Sequence, residues 1–284
     1  MMDPKLFKEP VEITKLSLKD ILGDEMGLQL EESIKHLYKE KKIKNVNKKT
    51  DFYSVRRTEE GLVHPAYVTL FPLSFKSKKR TNYDRNFAVL RFYEKNKDDN
   101  EEYFDRAKYH IARMKSLKNL GKYYPPFLIY ESSIANGIMV FQKFFFYPIC
   151  KFNSPDSVME LFNLIYYSSV KELFLDYNQN HFLWDSKRKS LLYTDADYID
   201  DHPFDKAVIE NFNQATIYIT LENTQFFSNA IQSFKTSRKK KATEFYKILI
   251  ELIKEKLDNL KSREKTNIIE NRIKSYKLIL KNNL

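Results

Sequence analysis

The sequence predicts an α+β protein of two lobes, an antiparallel five-stranded sheet with one helix followed by a mostly helical half. Three observations carry this. Five short segments between residues 51 and 148 are rich in β-branched and aromatic residues and are bounded by turn-forming loops. One segment among them, residues 101–118, places its apolar residues at helical spacing instead. After Pro203 the chain holds neither Pro nor Gly, so its last stretch is free to be nearly all helix. Strands first and helices after is the order of an α+β protein.

Residues 11–49 mix helix formers with Lys and end in the polar "KKIKNVNKKTD", so one or two helices and a linker are expected, and residues 1–50 form an N-terminal helical extension. The segments "DFYSVRR", "HPAYVTLFP" and "NFAVLRFYE" then read as three strands of a meander. The turn-prone "TEEG" separates the first two, and the basic loop "SFKSKKRTNYD" precedes the third. "DNEEYFDRAKYHIARMKSLKNL" follows, with an acidic start that suits a helix N-terminus and with Phe104, Ala107, Ile111, Met114 and Leu117 on one face. Gly121 ends this helix and "YYPP" prevents its continuation. Two more strands, "FLIYESS" and "GIMVFQKFFF", are joined by "IANG" and complete a lobe over residues 51–148. The junction "YPICKFNSPDS" opens the second lobe, residues 149–284, with a helix expected over residues 156–174. "NHFLWD" and "SLLYTDAD" read as two short strands about the turn "SKRK".

Composition narrows the function classes. With 284 residues, 42% of them hydrophobic, the chain can bury a sizeable core and is not a disordered segment. A single cysteine, Cys150, excludes an internal disulfide, and the five histidines are scattered, so a structural zinc cluster is not expected. No stretch approaches the roughly 20 apolar residues of a membrane-spanning helix, and a soluble cytoplasmic protein is the expectation. The formal net charge is +11, but residues 235–284 hold 15 Lys or Arg against 6 Asp or Glu and so carry +9 of it. Phe245, Leu249, Leu252, Ile253, Leu257 and Leu260, then Ile269, Ile273, Tyr276 and Leu280, give this tail two amphipathic helices. It is either a packed helical end with a solvated Lys-rich face or a docking surface for a polyanion or protein partner: RNA, phospholipid or an acidic protein. An unrelated α+β nucleic-acid binder would spread its excess positive charge over the fold, and here most of the net charge lies in the tail.

Residues 173–200, "LFLDYNQNHFLWDSKRKSLLYTDADYID", crowd five Asp, two Asn and one His beside apolar segments. Carboxylates near a core are costly unless they are paired or face a cation. One account is local, since Asp176, Asn178 and Asn180 suit Asx turns and "TDAD" suits a helix cap. The other is chemical, because two Asp on neighbouring loops supply what phosphoryl transfer asks of a protein: a carboxylate to position the nucleophile and ligands for a divalent metal.

With this element order and these loops the chain resembles the protein-kinase-like superfamily over residues 51–215, closer to small atypical kinases and aminoglycoside-type phosphotransferases than to regulated protein kinases. The resemblance implies a two-lobe fold and an ATP- and Mg²⁺-dependent phosphotransferase. Asp176 matches the catalytic-loop Asp that acts on the acceptor hydroxyl. The family's metal-binding Asn falls by strict spacing on His181 and by chemistry on Asn180, so either Asn180 reaches the metal from a loop shortened by one residue, or His181 replaces it; an amide oxygen suits hard Mg²⁺ better. Asp195 matches the second metal-binding Asp, and Asp197, two residues on, is a further ligand. In "FAVLRFY" Arg91 stands where the family has its phosphate-binding Lys, and "MVFQKF" resembles the hinge strand beside adenine, with Gln142 as a nucleotide contact. Glu101, Glu102 or Asp105 would substitute for the family's helix Glu, since the inward position holds Ala107. The chain has only Gly61 where the family has a Gly-rich loop, and no Ala-Pro-Glu segment follows Asp195. A small-molecule or unusual macromolecular hydroxyl is therefore the expected acceptor. The alternative is a pseudokinase or kinase-like binding module that contacts a partner through residues 235–284.

Overall fold

The computed structural model describes residues 11–16, 23–40, 52–57, 67–72, 87–94, 101–143, 145, 147–195 and 198–284. The protein is α+β, and it divides into two compact units, Met1–Ala112 with Pro125–Tyr147, and Arg113–Tyr124 with Pro148–Leu284.

The first unit is built on one antiparallel sheet. Its strands are β1 (Val11–Leu16), β2 (Phe52–Arg57), β3 (Tyr67–Pro72), β4 (Phe87–Glu94), β5 (Phe127–Ser132) and β6 (Gly137–Lys143), in the order β1-β2-β3-β4-β6-β5. This sheet has six strands rather than five. Val11–Leu16, expected inside a helical extension, pairs in register with β2 from Val11↔Arg57 to Leu16↔Phe52. "VEITKL" holds three β-branched residues, Val11, Ile13 and Thr14, and the edge of β2 offers it backbone partners, which decides the matter against its helix formers. The extension does hold one helix, α1 (Asp24–Lys39), with Asp24 and Glu25 in its first turn and His36 and Lys39 in its last, as the helix dipole favours. Leu30, Ile34 and Leu37 form its buried face and pack with Leu90 and Phe92 of β4 and Met139 and Phe141 of β6. Because side chains alternate across a strand, Arg91 and Gln142 leave the opposite face of the same two strands. Gly137 is demanded by this pairing, since a Cβ there would lie 2.4 Å from the Tyr93 carbonyl oxygen.

The helix α2 (Glu101–Leu117) contains the boundary between the units and runs into a 3₁₀ segment, Lys118–Tyr123. Gly121 breaks it with φ 60°, ψ −116°, a conformation open to glycine. The side chains of Glu101, Glu102, Asp105 and Ala107 lie outside the described residues.

The second unit opens with α3 (Pro155–Val170), where Ser154 and Ser157 form a reciprocal capping box and Pro155 takes the first helical position. The helix stops four residues short of its expected end. Glu172 turns the chain at φ 61°, and Leu173–Phe174 (β7) pairs with Asp200–Asp201 (β10). Between them Phe182–Asp185 (β8) and Ser190–Tyr193 (β9) form a hairpin. Four helices follow: α4 (Phe204–Ala215), α5 (Thr224–Lys235), α6 (Lys240–Lys261) and α7 (Asn267–Asn283). Phe162 of α3 meets Phe212 and Phe227 edge-on or tilted at 6.1 and 5.5 Å, and Phe245 of α6 meets Tyr166 and Phe234 at 5.4 and 4.8 Å. A polar seam ties α5 to α7: Thr224 Oγ1 donates to Ser275 Oγ at 2.8 Å, and Asn283 Nδ2 to Ser228 Oγ at 3.1 Å. Phe245, Leu249, Ile253 and Leu257 are buried, each contributing about 1.5–3 kcal/mol relative to exposure. The basic tail is thus part of the second unit's core, with its Lys-rich faces solvated. Among the described residues no helix is long and apolar enough to cross a membrane.

Candidate active site

In the second unit, three side chains come from two loops. Asp176 follows β7, His181 ends a 3₁₀ turn (Gln179–His181), and Asp195 lies two residues beyond β9. His181 Nδ1 stands 3.5 Å from Asp176 Oδ2 and 3.6 Å from Asp195 Oδ2. One ligand atom from each of the three lies within 4.8 Å of the other two. The side chains are 42%, 21% and 28% exposed for Asp176, His181 and Asp195, so solvent reaches the group while its backbone is held from below.

The loop around Asp176 is shaped locally in the manner its Asx residues favour. Asp176 Oδ1 accepts from the Asn178 N–H, and Asn178 Oδ1 accepts from the Asn180 N–H, both at 3.1 Å. These bonds occupy one carboxylate oxygen of Asp176 and leave Oδ2 on the side of His181. The second loop is tied to the first through His181, whose carbonyl accepts from the Thr194 N–H at 2.8 Å and from Thr194 Oγ1 at 3.2 Å.

Beneath Asp176 the support comes from α4 and its neighbours. Asn211 is fully buried; its Oδ1 accepts from the Leu175 N–H at 3.0 Å and its Nδ2 donates to the Leu173 carbonyl at 2.8 Å. Gln214, one turn later, accepts from the Tyr177 N–H at 3.0 Å, and the Tyr218 hydroxyl donates to the Tyr177 carbonyl. The amide of Asp176 itself donates to the Tyr193 hydroxyl at 3.2 Å, and that hydroxyl donates onward to Asp195 Oδ2 at 3.4 Å. Burial, then the charge of Asp195, holds the Tyr193 hydroxyl well above the ordinary tyrosine range, so it stays a proton donor. Tyr193 therefore links the backbone of one acidic loop to the carboxylate of the other. None of these supports stood out in the sequence, although Asn211 left a trace: it falls on the apolar face of α4 with Phe204, Ala207, Val208 and Ala215.

The remaining candidates are placed as follows. Asn180 lies in the 3₁₀ turn beside His181, half-buried, with its N–H engaged by Asn178. Asp197 lies outside the described residues. Arg91 and Gln142 belong to the first unit, where Arg91 Nη1 donates to Gln142 Oε1 at 2.7 Å across β4 and β6. Gln142 is 3% exposed, and its Nε2 has no hydrogen-bond acceptor among the described residues. A buried amide donor without an acceptor is costly, about 1–3 kcal/mol, and marks a place where a ligand atom would be welcome.

No known family profile matches the chain, and no curated protein matches it. Among solved structures, a chain titled "Complex of Neurospora crassa PAN2 (WD40-CS1) with PAN3 (pseudokinase and C-term)" is similar with a TM-score of 0.30 and 9% identity. The match covers 84% of this chain and 61% of that one.

Proposed function

We propose that the protein is a kinase-like, metal-dependent phosphotransferase that moves the γ-phosphoryl group of ATP to a hydroxyl of a small molecule or an unusual macromolecular acceptor. The observation that supports it is the convergence of Asp176, His181 and Asp195, with oxygen and nitrogen ligand atoms grouped within 4.8 Å. Two carboxylates and an imidazole form a donor set that fits a divalent cation, with Asn180 and Asp197 as further ligands in this reading. A bound Mg²⁺-type ion would neutralise charge on the triphosphate.

The chain's own groups then have defined tasks. Asp176 accepts the proton of the acceptor hydroxyl as that oxygen bonds to the γ-phosphorus, while the bond from that phosphorus to the bridging oxygen breaks and leaves ADP. Asn211, Gln214 and Tyr193 keep the Asp176 backbone fixed, which matters because misplacement of a reacting group by about 1 Å can cost 10²-fold in rate. Arg91 holds phosphate through a permanent charge, and the Gln142 Nε2 donor, without an acceptor among the described residues, suits a nucleotide oxygen or ring nitrogen.

A second reading, a kinase-like binding module, draws on the Arg91 to Gln142 bond, which already engages the cation meant for phosphate. Thermal-shift titration with ATP and Mg²⁺ or Mn²⁺, alongside ATP turnover, separates the two. The enzyme reading expects Asp195→Ala to lose the metal-dependent shift and Asp176→Ala to weaken that shift and lose turnover. Nucleotide binding with no turnover by the wild type would favour the module, and neither binding nor turnover would end the enzyme reading.

A further inference from the structure

His181 gives this site a chemistry that two carboxylates alone would not have. Its Nδ1 lies 3.4 Å from the Asp176 carbonyl oxygen and faces both acids, at 3.5 Å from Asp176 Oδ2 and 3.6 Å from Asp195 Oδ2. Those separations exceed a normal hydrogen bond, yet they are close to the roughly 3.0–3.5 Å between two donor atoms that share one ion at bonds of about 2.1 Å. The backbone of His181 is held on both sides: its N–H donates to the Asn178 carbonyl at 2.9 Å and its carbonyl takes two bonds from Thr194. Phe182 and Tyr193 are fully buried beside it, and the Tyr193 ring meets the imidazole edge-on at 6.1 Å.

An imidazole nitrogen discriminates among divalent ions. Mg²⁺ demands oxygen ligands in near-ideal octahedral geometry and gives up its waters reluctantly, whereas first-row transition ions accept imidazole readily. Two carboxylates leave the set oxygen-rich, and phosphate oxygens would add to it. That balance suits Mn²⁺, which takes oxygen ligands as Mg²⁺ does and tolerates nitrogen.

We propose that the Asp176, His181 and Asp195 group is a Mn²⁺-selective site, with His181 Nδ1 as the ligand that sets the preference over Mg²⁺. This rests on the reading of Asp176 and Asp195 as metal ligands. It goes beyond that reading in naming the ion and the residue that selects it.

The test is binding and not turnover. Free Mn²⁺ is counted by its electron paramagnetic resonance signal in titrations of the wild type, His181→Asn and Asp195→Ala, and Mg²⁺ is measured by competition. The wild type should bind Mn²⁺ at least about tenfold more tightly than Mg²⁺, and His181→Asn should shrink that ratio to about threefold or less. Bound Mn²⁺ in the wild type should show ¹⁴N coupling from a directly ligated imidazole, absent in His181→Asn. If the wild type binds the two ions equally, or bound Mn²⁺ shows no such coupling, the proposal fails while the phosphotransferase reading stands. If neither ion binds, or Asp195→Ala binds both as the wild type does, both fail. The wild-type ratio and spectrum stand without any variant, so a poorly folded His181→Asn protein leaves the outcome decided.

Discussion

Replacing Asn211 by Ala removes the anchor of the Asp176 loop, and its cost follows from the bonds lost. The side chain is fully buried, accepts from the Leu175 N–H and donates to the Leu173 carbonyl, with longer contacts to Ser168 Oγ and Ser169 Oγ at 3.4 and 3.3 Å. Leu173 and Leu175 are themselves buried, so water cannot replace the lost partners without opening the loop. Two buried backbone groups left unsatisfied, at about 1–3 kcal/mol each, put the loss at about 2–6 kcal/mol. That is a large share of the roughly 5–15 kcal/mol of a typical protein. Asn211→Asp offers a sharper version, since it keeps the acceptor for Leu175 but sets a carboxylate against the Leu173 carbonyl. Urea unfolding followed by the fluorescence of Trp184, the single tryptophan and a residue of β8, reads the second unit directly. Both variants should be destabilised, with Asp no better than Ala at neutral pH. An Asn211→Ala midpoint corresponding to less than about 0.5 kcal/mol would refute the anchoring role.

Other outcomes follow from the same coordinates. Tyr193→Phe deletes the hydroxyl between the Asp176 amide and Asp195 Oδ2 and should cost about 1–2 kcal/mol in urea unfolding, with weaker divalent-ion binding by titration. Burial pushes the Cys150 thiol from an ordinary 9.0 up to about 12, so it should resist a thiol-specific disulfide reagent at neutral pH until the protein is unfolded. Between about pH 9 and 12 the unfolded thiol has lost its proton while the folded one keeps it; the folded state binds more protons, stability falls as pH rises, and Cys150→Ala should flatten part of that fall in thermal melts. Truncation before Lys240 removes α6 and α7 and uncovers Phe227, Ile231 and Phe234 of α5, so the shortened protein should aggregate or bind a hydrophobic dye rather than merely lose affinity for a polyanion.

Much of the local structure was legible because it depends on local chemistry. β4 and β6 are short runs rich in branched and aromatic residues, and α6 repeats Phe245, Leu249, Leu252 and Ile253 at helical spacing. What escaped depends on distant partners. "VEITKL" has no strong preference until β2 offers an edge, and the two-residue pairing of Leu173–Phe174 with Asp200–Asp201 is too short to leave a pattern. Of the site, Asp176 and Asp195 stood out as two loop carboxylates, with Asn180 preferred on chemistry and His181 placed by strict spacing, and the structure gathers Asp176, His181 and Asp195. The choice between Asn180 and His181 was not readable, because adjacent residues differ in direction and not in reach. His181 is the one whose ring faces both carboxylates. Asn211 and Gln214 were silent because they act on backbone amides 36 and 37 residues away.

The most direct test of the central claim is ADP formation from ATP by the purified full chain, with and without Mn²⁺ or Mg²⁺, over a panel of hydroxyl-bearing acceptors and water. The account predicts slow ADP formation that requires the divalent ion, is abolished by chelation, and is lost in both Asp176→Asn and Asp195→Asn while Asp185→Asn, whose carboxylate caps the β8–β9 turn and pairs with Arg188, retains it. ADP formation that survives in Asp176→Asn and Asp195→Asn, or none from the wild type with either ion under conditions where ATP is bound, would contradict it.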